Sequence, residues 1–197
     1  MNSLKSLADE ELVGLYSKGE DKAFDELLAR YQSKVYTYIY FIVRNATLAE
    51  DLFQETFVKA ITSIRQGRYS ENGKFCAWIT RIAHNLTLDY YRQEKNENVY
   101  SNDDSEIDLF NDPDLCEDNI ETTLVNRQVL HDVRRLICAL PTVQREVVYM
   151  RFYQDLSFKE IADVTGVSIN TALGRMRYAL INMRRMADEK GISLCLE

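Results

Sequence analysis

The chain has 197 residues, 46% of them hydrophobic and 28% charged, with only 2 Pro, 7 Gly and a formal net charge of −7. That length holds one medium domain or two small ones, and so few turn formers exclude a turn-rich β-sandwich in favour of long helices. No run of about 18 apolar residues occurs, and the Met1 end lacks the basic-then-apolar layout of a signal peptide, so a soluble intracellular chain without membrane insertion is expected.

The cysteines Cys76, Cys116, Cys138 and Cys195 stand far apart without a C-x-x-C pair, and His84 and His131 are not spaced as ligand partners. Reduced thiols are therefore expected, with no metal site, disulfide framework or cofactor. The acidity is local. Residues 1–95 carry 13 basic and 13 acidic side chains, residues 96–126 carry 10 acidic and none basic, and residues 127–197 carry 11 basic and 8 acidic. Outside one acidic segment the balance is slightly basic, so a global pI near 5.0 does not exclude nucleic-acid binding.

In chain order, the first amphipathic helix with a clear apolar stripe follows Asp21, read as its N-cap, and carries Phe24, Leu27, Leu28, Tyr31, Val35, Ile39 and Ile42. The next opens with Thr47 and Glu50 at capping-box spacing and continues through Leu48, Leu52, Phe53, Phe57, Ile61 and Ile64, ending at Gln66-Gly67-Arg68. Residues 67–74 read as a polar loop. A further helix places Phe75, Ile79, Ile82, Leu86 and Tyr90 on one stripe. Residues 96–126 lack periodicity and read as a flexible acidic linker. This linker is either a solvated tether or a mimic of nucleic acid lying against basic surfaces. Leu124, Val125, Leu130, Val133 and Leu136 resume the helical pattern. Pro141 then stands near the first turn of a helix holding Val143, Val147, Val148 and Met150.

Residues 157–186 carry the sharpest local signal. Ser157 and Glu160 form a capping box, Ile161 and Val164 give a short helix its apolar side, and Ala162 is small where a second helix crosses. Gly166 falls in the turn and Ser168 can cap the next helix, whose stripe is Ile169, Ala172, Met176, Ala179 and Met183. This is the layout of a helix-turn-helix, with an ordinary helical hairpin as the bland alternative. The face opposite the stripe holds Asn170, Gly174, Arg177, Tyr178, Ile181 and Arg185. Arg177 can fork onto a guanine edge or a phosphate, and Asn170 can pair with adenine. Arg175 lies at the flank, where a phosphate contact or an internal ion pair fits better than base reading.

The segments 50–64, 75–92 and 140–186, in this order, resemble the compact bacterial sigma factors of the extracytoplasmic-function type. The resemblance implies an all-α fold of two small helical domains joined by the acidic linker, the second containing the helix-turn-helix. Residues 1–95 would dock core RNA polymerase and recognise and melt the minus-ten element, 96–126 would be the linker, 127–190 would read the minus-thirty-five element, and 191–197 would be a tail. Asp51, Gln54, Glu55 and Lys59 match the family's polymerase-docking helix, although a solvated helix face would look alike. Trp78, Arg81, Asn85, Asp89 and Arg92 match the helix that captures the melted minus-ten strand. Trp78 can either stack on a base or belong to the core. Arg68, Tyr69 and Lys74 make the preceding loop a candidate wall of the flipped-base pocket. Ser168, Asn170, Thr171, Gly174, Arg175, Arg177, Tyr178 and Arg185 become candidates for the upstream contact.

Two departures stand out: relatives usually carry a basic residue where this chain has Leu173 and an arginine where it has Tyr178. Small serine is also common at the place of Gly174. An atypical upstream motif, or a shift toward backbone and shape readout, is expected. The resemblance further implies core RNA polymerase and promoter DNA as partners, an anti-sigma factor or other regulatory protein as a possible third, and a monomer when free. The rival reading is a two-domain helix-turn-helix regulator, which leaves the Asp51–Lys59 and Trp78–Arg92 faces unused. An enzyme is not expected: there is no Gly-rich phosphate loop or nucleophile elbow, and neither histidine has an evident catalytic partner.

Overall fold

A computed structural model of the chain describes residues 4–69, 74–97 and 132–192. All regular structure among the described residues is helical. The chain divides into two compact units. The acidic linker of 96–126 lies, apart from the helix end at Glu97, outside the described residues, as do Leu124, Val125, Leu130 and His131.

In the first unit a single 3-10 turn, Leu4–Ser6, leads into α1 (Asp9–Ser17), α2 (Asp21–Val43), α3 (Ala46–Arg65) and α4 (Phe75–Glu97). The 23-residue α2 is the hub, packing against α1, α3 and α4. Leu27, Val35, Tyr38 and Ile39 of α2 are buried with Leu12 of α1, Ala49, Phe57, Ala60 and Ile64 of α3, and Phe75, Ile79 and Ala83 of α4. Between α2 and α4 the Tyr38 hydroxyl meets Nδ1 of the buried His84 at 2.9 Å, so this histidine belongs to the core. The Arg30 guanidinium donates to Asp9 at 2.9 Å and to the carbonyls of Lys5 and Leu7, both at 3.0 Å, which ties the first turn of the chain to α2.

Three expectations are corrected here. Asp21 is not the N-cap of α2. It is the first helical residue, where its charge faces the exposed N–H groups, and its carboxylate stands 3.4 Å from Arg65. The N-cap of α3 is Asn45 rather than Thr47, its side-chain oxygen accepting from the Leu48 N–H at 3.1 Å. A short amide on an extended residue reaches that N–H, so the helix starts early and Thr47 falls inside its first turn. On α4, Ile82 and Tyr90 are only half-buried, and Thr80, His84 and Thr87 occupy buried positions instead. Thr87 is tolerated there because its hydroxyl donates to the Ala83 carbonyl at 2.8 Å.

The second unit has a helical stretch over 132–138, then α5 (Thr142–Phe152), with α6 (Phe158–Thr165) and α7 (Ile169–Glu189) following in sequence. Pro141 is the N-cap of α5. Leu136, Leu140, Val147, Val148 and Met150 are buried, and α5 packs on α7. Val143, expected in the core, is 45% exposed, because it lies at the N-terminal end of α5, before the fully buried run of 145–150. Arg145, invisible to the apolar pattern, is buried and donates to the Leu140 carbonyl at 2.8 Å, so a charge closes the end of the preceding helical stretch. On α7 the stripe shortens. Ala172, Met176 and Ala179 are buried, Met183 is half-buried and Ile169 is exposed at the first turn, beyond the packed part of the helix.

Candidate nucleic-acid and protein interfaces

The outer face of α3 is built by elimination. Ala49, Leu52, Thr56, Phe57, Ala60 and Ile64 are turned into the core, which leaves Asp51, Gln54, Glu55 and Lys59 exposed, as their spacing predicts. Lys59 pairs with Glu55 at 3.1 Å and Gln54 donates to Glu50 at 3.2 Å. An exposed pair of this kind contributes little stability, so a partner can redirect these side chains at small cost. Sequence reasoning missed Val58. It is 60% exposed and lies four residues after Gln54 and three after Glu55, which puts an apolar spot amid the polar face. The available signal was a β-branched residue at a polar position of the helical wheel.

On α4, Arg81, Asn85, Asp89 and Arg92 are exposed along the side that Trp78 begins, with Arg92 donating to Asp89 at 3.2 Å. Trp78 is half-buried. One side of the ring meets Tyr69 edge-on at 4.7 Å and Phe75 at 5.6 Å, and part of it stays open. Arg68 and Lys74 are exposed, whereas Tyr69, in the same loop, is not open to solvent as its neighbours suggested. It is buried between Phe75 and Trp78, because an aromatic ring beside two others gains more from packing than from water. Residues 70–73 of the loop lie outside the described residues.

The helix-turn-helix signals are realised locally. Ser157 accepts from the Glu160 N–H at 3.3 Å while Glu160 accepts from the Ser157 N–H at 2.8 Å, the reciprocal capping box. Ile161, Ala162 and Val164 are buried, Gly166 takes φ +67°, and Ser168 accepts from the Thr171 N–H at 3.0 Å. Asn170, Thr171, Arg177, Tyr178 and Arg185 are exposed on α7, and Arg175 is half-buried at the flank. A Cβ at Gly174 would meet no atom within 4 Å apart from its chain neighbours and its own helix backbone. Fixed donors, open rings and a side-chain-free notch on exposed helical faces suit contact with another macromolecule.

Comparison with known families decides which one. Residues 27–97 match sigma-70 region 2, and residues 130–177 match sigma-70 region 4. The RNA polymerase sigma factor CarQ of Myxococcus xanthus is 30% identical over 176 residues, covering 88% of this chain and 94% of CarQ. The chain belongs to the ECF sigma factors.

It is also 28% identical to the ECF RNA polymerase sigma factor SigW of Bacillus subtilis, across 81% of this chain and 86% of SigW. Among solved structures, the Bartonella quintana sigma factor RpoE, in complex with the anti-sigma factor NepR, covers 85% of this chain and 98% of its own at 21% identity and TM-score 0.67. CnrH, in complex with the cytosolic domain of CnrY, covers 93% and 99% at 23% identity and TM-score 0.63. These two share the fold. As a sigma factor the chain binds core RNA polymerase and directs initiation at promoters. The region 2 match spans α3 and α4, and the region 4 match ends at Arg177, short of Tyr178 and Arg185. No described helix is long and apolar enough to cross a membrane.

Proposed function

We propose that the three exposed faces divide the work of this sigma factor. Asp51, Gln54, Glu55 and Lys59, centred on Val58, dock core polymerase. Arg68, Lys74, Trp78, Arg81, Asn85, Asp89 and Arg92 receive the melted minus-ten strand, with Tyr69 as a buried support for Trp78. Ser168, Asn170, Thr171, Gly174, Arg175, Arg177, Tyr178 and Arg185 form the upstream contact. The boundaries of the two domains, 1–95 and 127–190, belong to the same reading.

One observation carries it: on α3, α4 and α7 the polar residues at the family's working positions are exposed, Arg175 only in part, while the opposite side of each helix is core. The protein then acts by binding, with no catalytic chemistry of its own, in the cytoplasm where polymerase works. An anti-sigma factor is a fitting regulator, since RpoE is held by NepR in the structure that shares this fold.

The test is Asp51→Ala with Gln54→Ala. Both side chains are exposed, so the fold should stay within about 0.5 kcal/mol of wild type. Each hydrogen bond involving a charge is worth roughly 1.5–3 kcal/mol. Binding to core polymerase should therefore fall at least tenfold. Wild-type affinity in the double variant would place the docking face elsewhere.

A further inference from the structure

The outward side of α7 is not wholly polar. Ile169, Leu173 and Leu180 stand 45%, 44% and 40% exposed. At 100° per residue they form one row between the buried stripe and the polar face. Leu173 lies three residues after Asn170 and four before Arg177, so it shares a surface patch with both. Its neighbour Gly174 offers no side chain, and the space beside it is open.

An apolar side chain among base-reading groups has one natural counterpart in the major groove. The only methyl group on a base edge there, and the largest apolar one, is the C5-methyl of thymine. The base contacts of a recognition helix come from its N-terminal part. Ile169 is the first helical residue and Leu180 stands in the second half of α7, whereas Leu173 lies in the second turn, between the two best-placed polar readers.

We propose that Leu173 is a specificity-determining residue that reads a thymine of the upstream element through its methyl group, beside the base pair met by Arg177. This rests on the reading of α7 as the upstream contact.

The test uses holoenzyme reconstituted from this chain and core polymerase, on a promoter mapped by run-off transcription of genomic fragments. Each upstream thymine is replaced in turn by deoxyuridine, which pairs identically and lacks only the methyl. At one position the replacement should weaken closed-complex binding roughly three- to fivefold, the burial of about one methyl. Leu173→Ala should weaken binding to the thymine promoter by at least that factor, and deoxyuridine at that position should then cost nothing more. The absence of any deoxyuridine effect, or losses that multiply, would overturn the proposal. So would a Leu173→Ala chain that loses affinity for core polymerase without DNA, since the row would then meet protein. Arg177→Ala separates the two levels. If it changes neither affinity nor the upstream footprint, α7 is not the reader. If it weakens binding while deoxyuridine has no effect, the reading of α7 stands and the role of Leu173 falls.

Discussion

Gly174→Ala sets helix stability against DNA contact. Mid-helix glycine costs about 1 kcal/mol relative to alanine. Beyond its chain neighbours and its own helix backbone nothing lies within 4 Å of the added Cβ, so the free protein recovers that energy without a clash. For a unit of this size a gain of about 1 kcal/mol raises the melting temperature by roughly 4–8 °C. The transition of the second unit, followed by circular dichroism or calorimetry, should show it. On DNA the sign should reverse. If Gly174 lets α7 sit deep in the groove, a methyl there should weaken promoter binding by the holoenzyme several-fold, despite the steadier helix. A protein that is both more stable and equally active would show that Gly174 makes no close approach, and it would leave the site. A protein with no gain in stability would refute the reasoning from open space itself.

Asn85→Ala, exposed and free of packing duty, should slow opening of the minus-ten region in permanganate footprinting while leaving the melting temperature within about 2 °C. Trp78→Ala should also impair opening, by the roughly 1–3 kcal/mol of one base stack, and in addition lower thermal stability through its contacts with Tyr69 and Phe75. Equal loss of closed and open complexes in both variants would leave Trp78 with a core role only. Burial, and then its hydrogen bond to Asp9, push the Tyr31 phenol above its ordinary value. Its contribution is therefore fully present below the unfolded pKa of about 10 and lost as pH rises beyond it. Tyr31→Phe should accordingly flatten the alkaline arm of a stability–pH curve, and an unchanged arm would refute this. Thr80 is fully buried with its hydroxyl unbonded, unlike Thr56, which donates to the Leu52 carbonyl at 2.7 Å. Thr80→Val should gain about 1 kcal/mol in denaturant unfolding and Thr56→Val should lose about as much, and equal effects would refute the contrast.

The helices were legible because their apolar period is strong. Ala172, Met176 and Ala179 are buried where the pattern placed them, and the Ser157–Glu160 and Ser168 caps hold their predicted N–H groups. What escaped was set by partners distant in sequence or by backbone chemistry that the pattern ignores. Asn45 outcompetes Thr47 because of where the chain leaves α2. Arg145 and His84 are interior because a carbonyl and a tyrosine hydroxyl are waiting for them. Tyr69 reads as an open loop residue, although it is buried, because its packing partners, Phe75 and Trp78, follow only after the polar run. Among the candidate contacts, exposure followed from periodicity. Val58 was passed over because an apolar residue at an outward position looks like noise until its exposure is known, and Leu173 stood out only as a departure from the family.

The hub position of α2 has a consequence for how this protein can diverge. Tyr38, Ile39 and Leu27 hold α3 and α4 from within, and neither the outer face of α3 nor that of α4 supplies the core. Substitutions on one face therefore leave the other untouched and spare the scaffold. A lineage could retune which promoter strand it accepts while keeping its grip on an unchanged polymerase, or follow a drifting polymerase without rewriting its promoters. Residues of α2 have no such freedom, since a change at Tyr38 disturbs both faces at once.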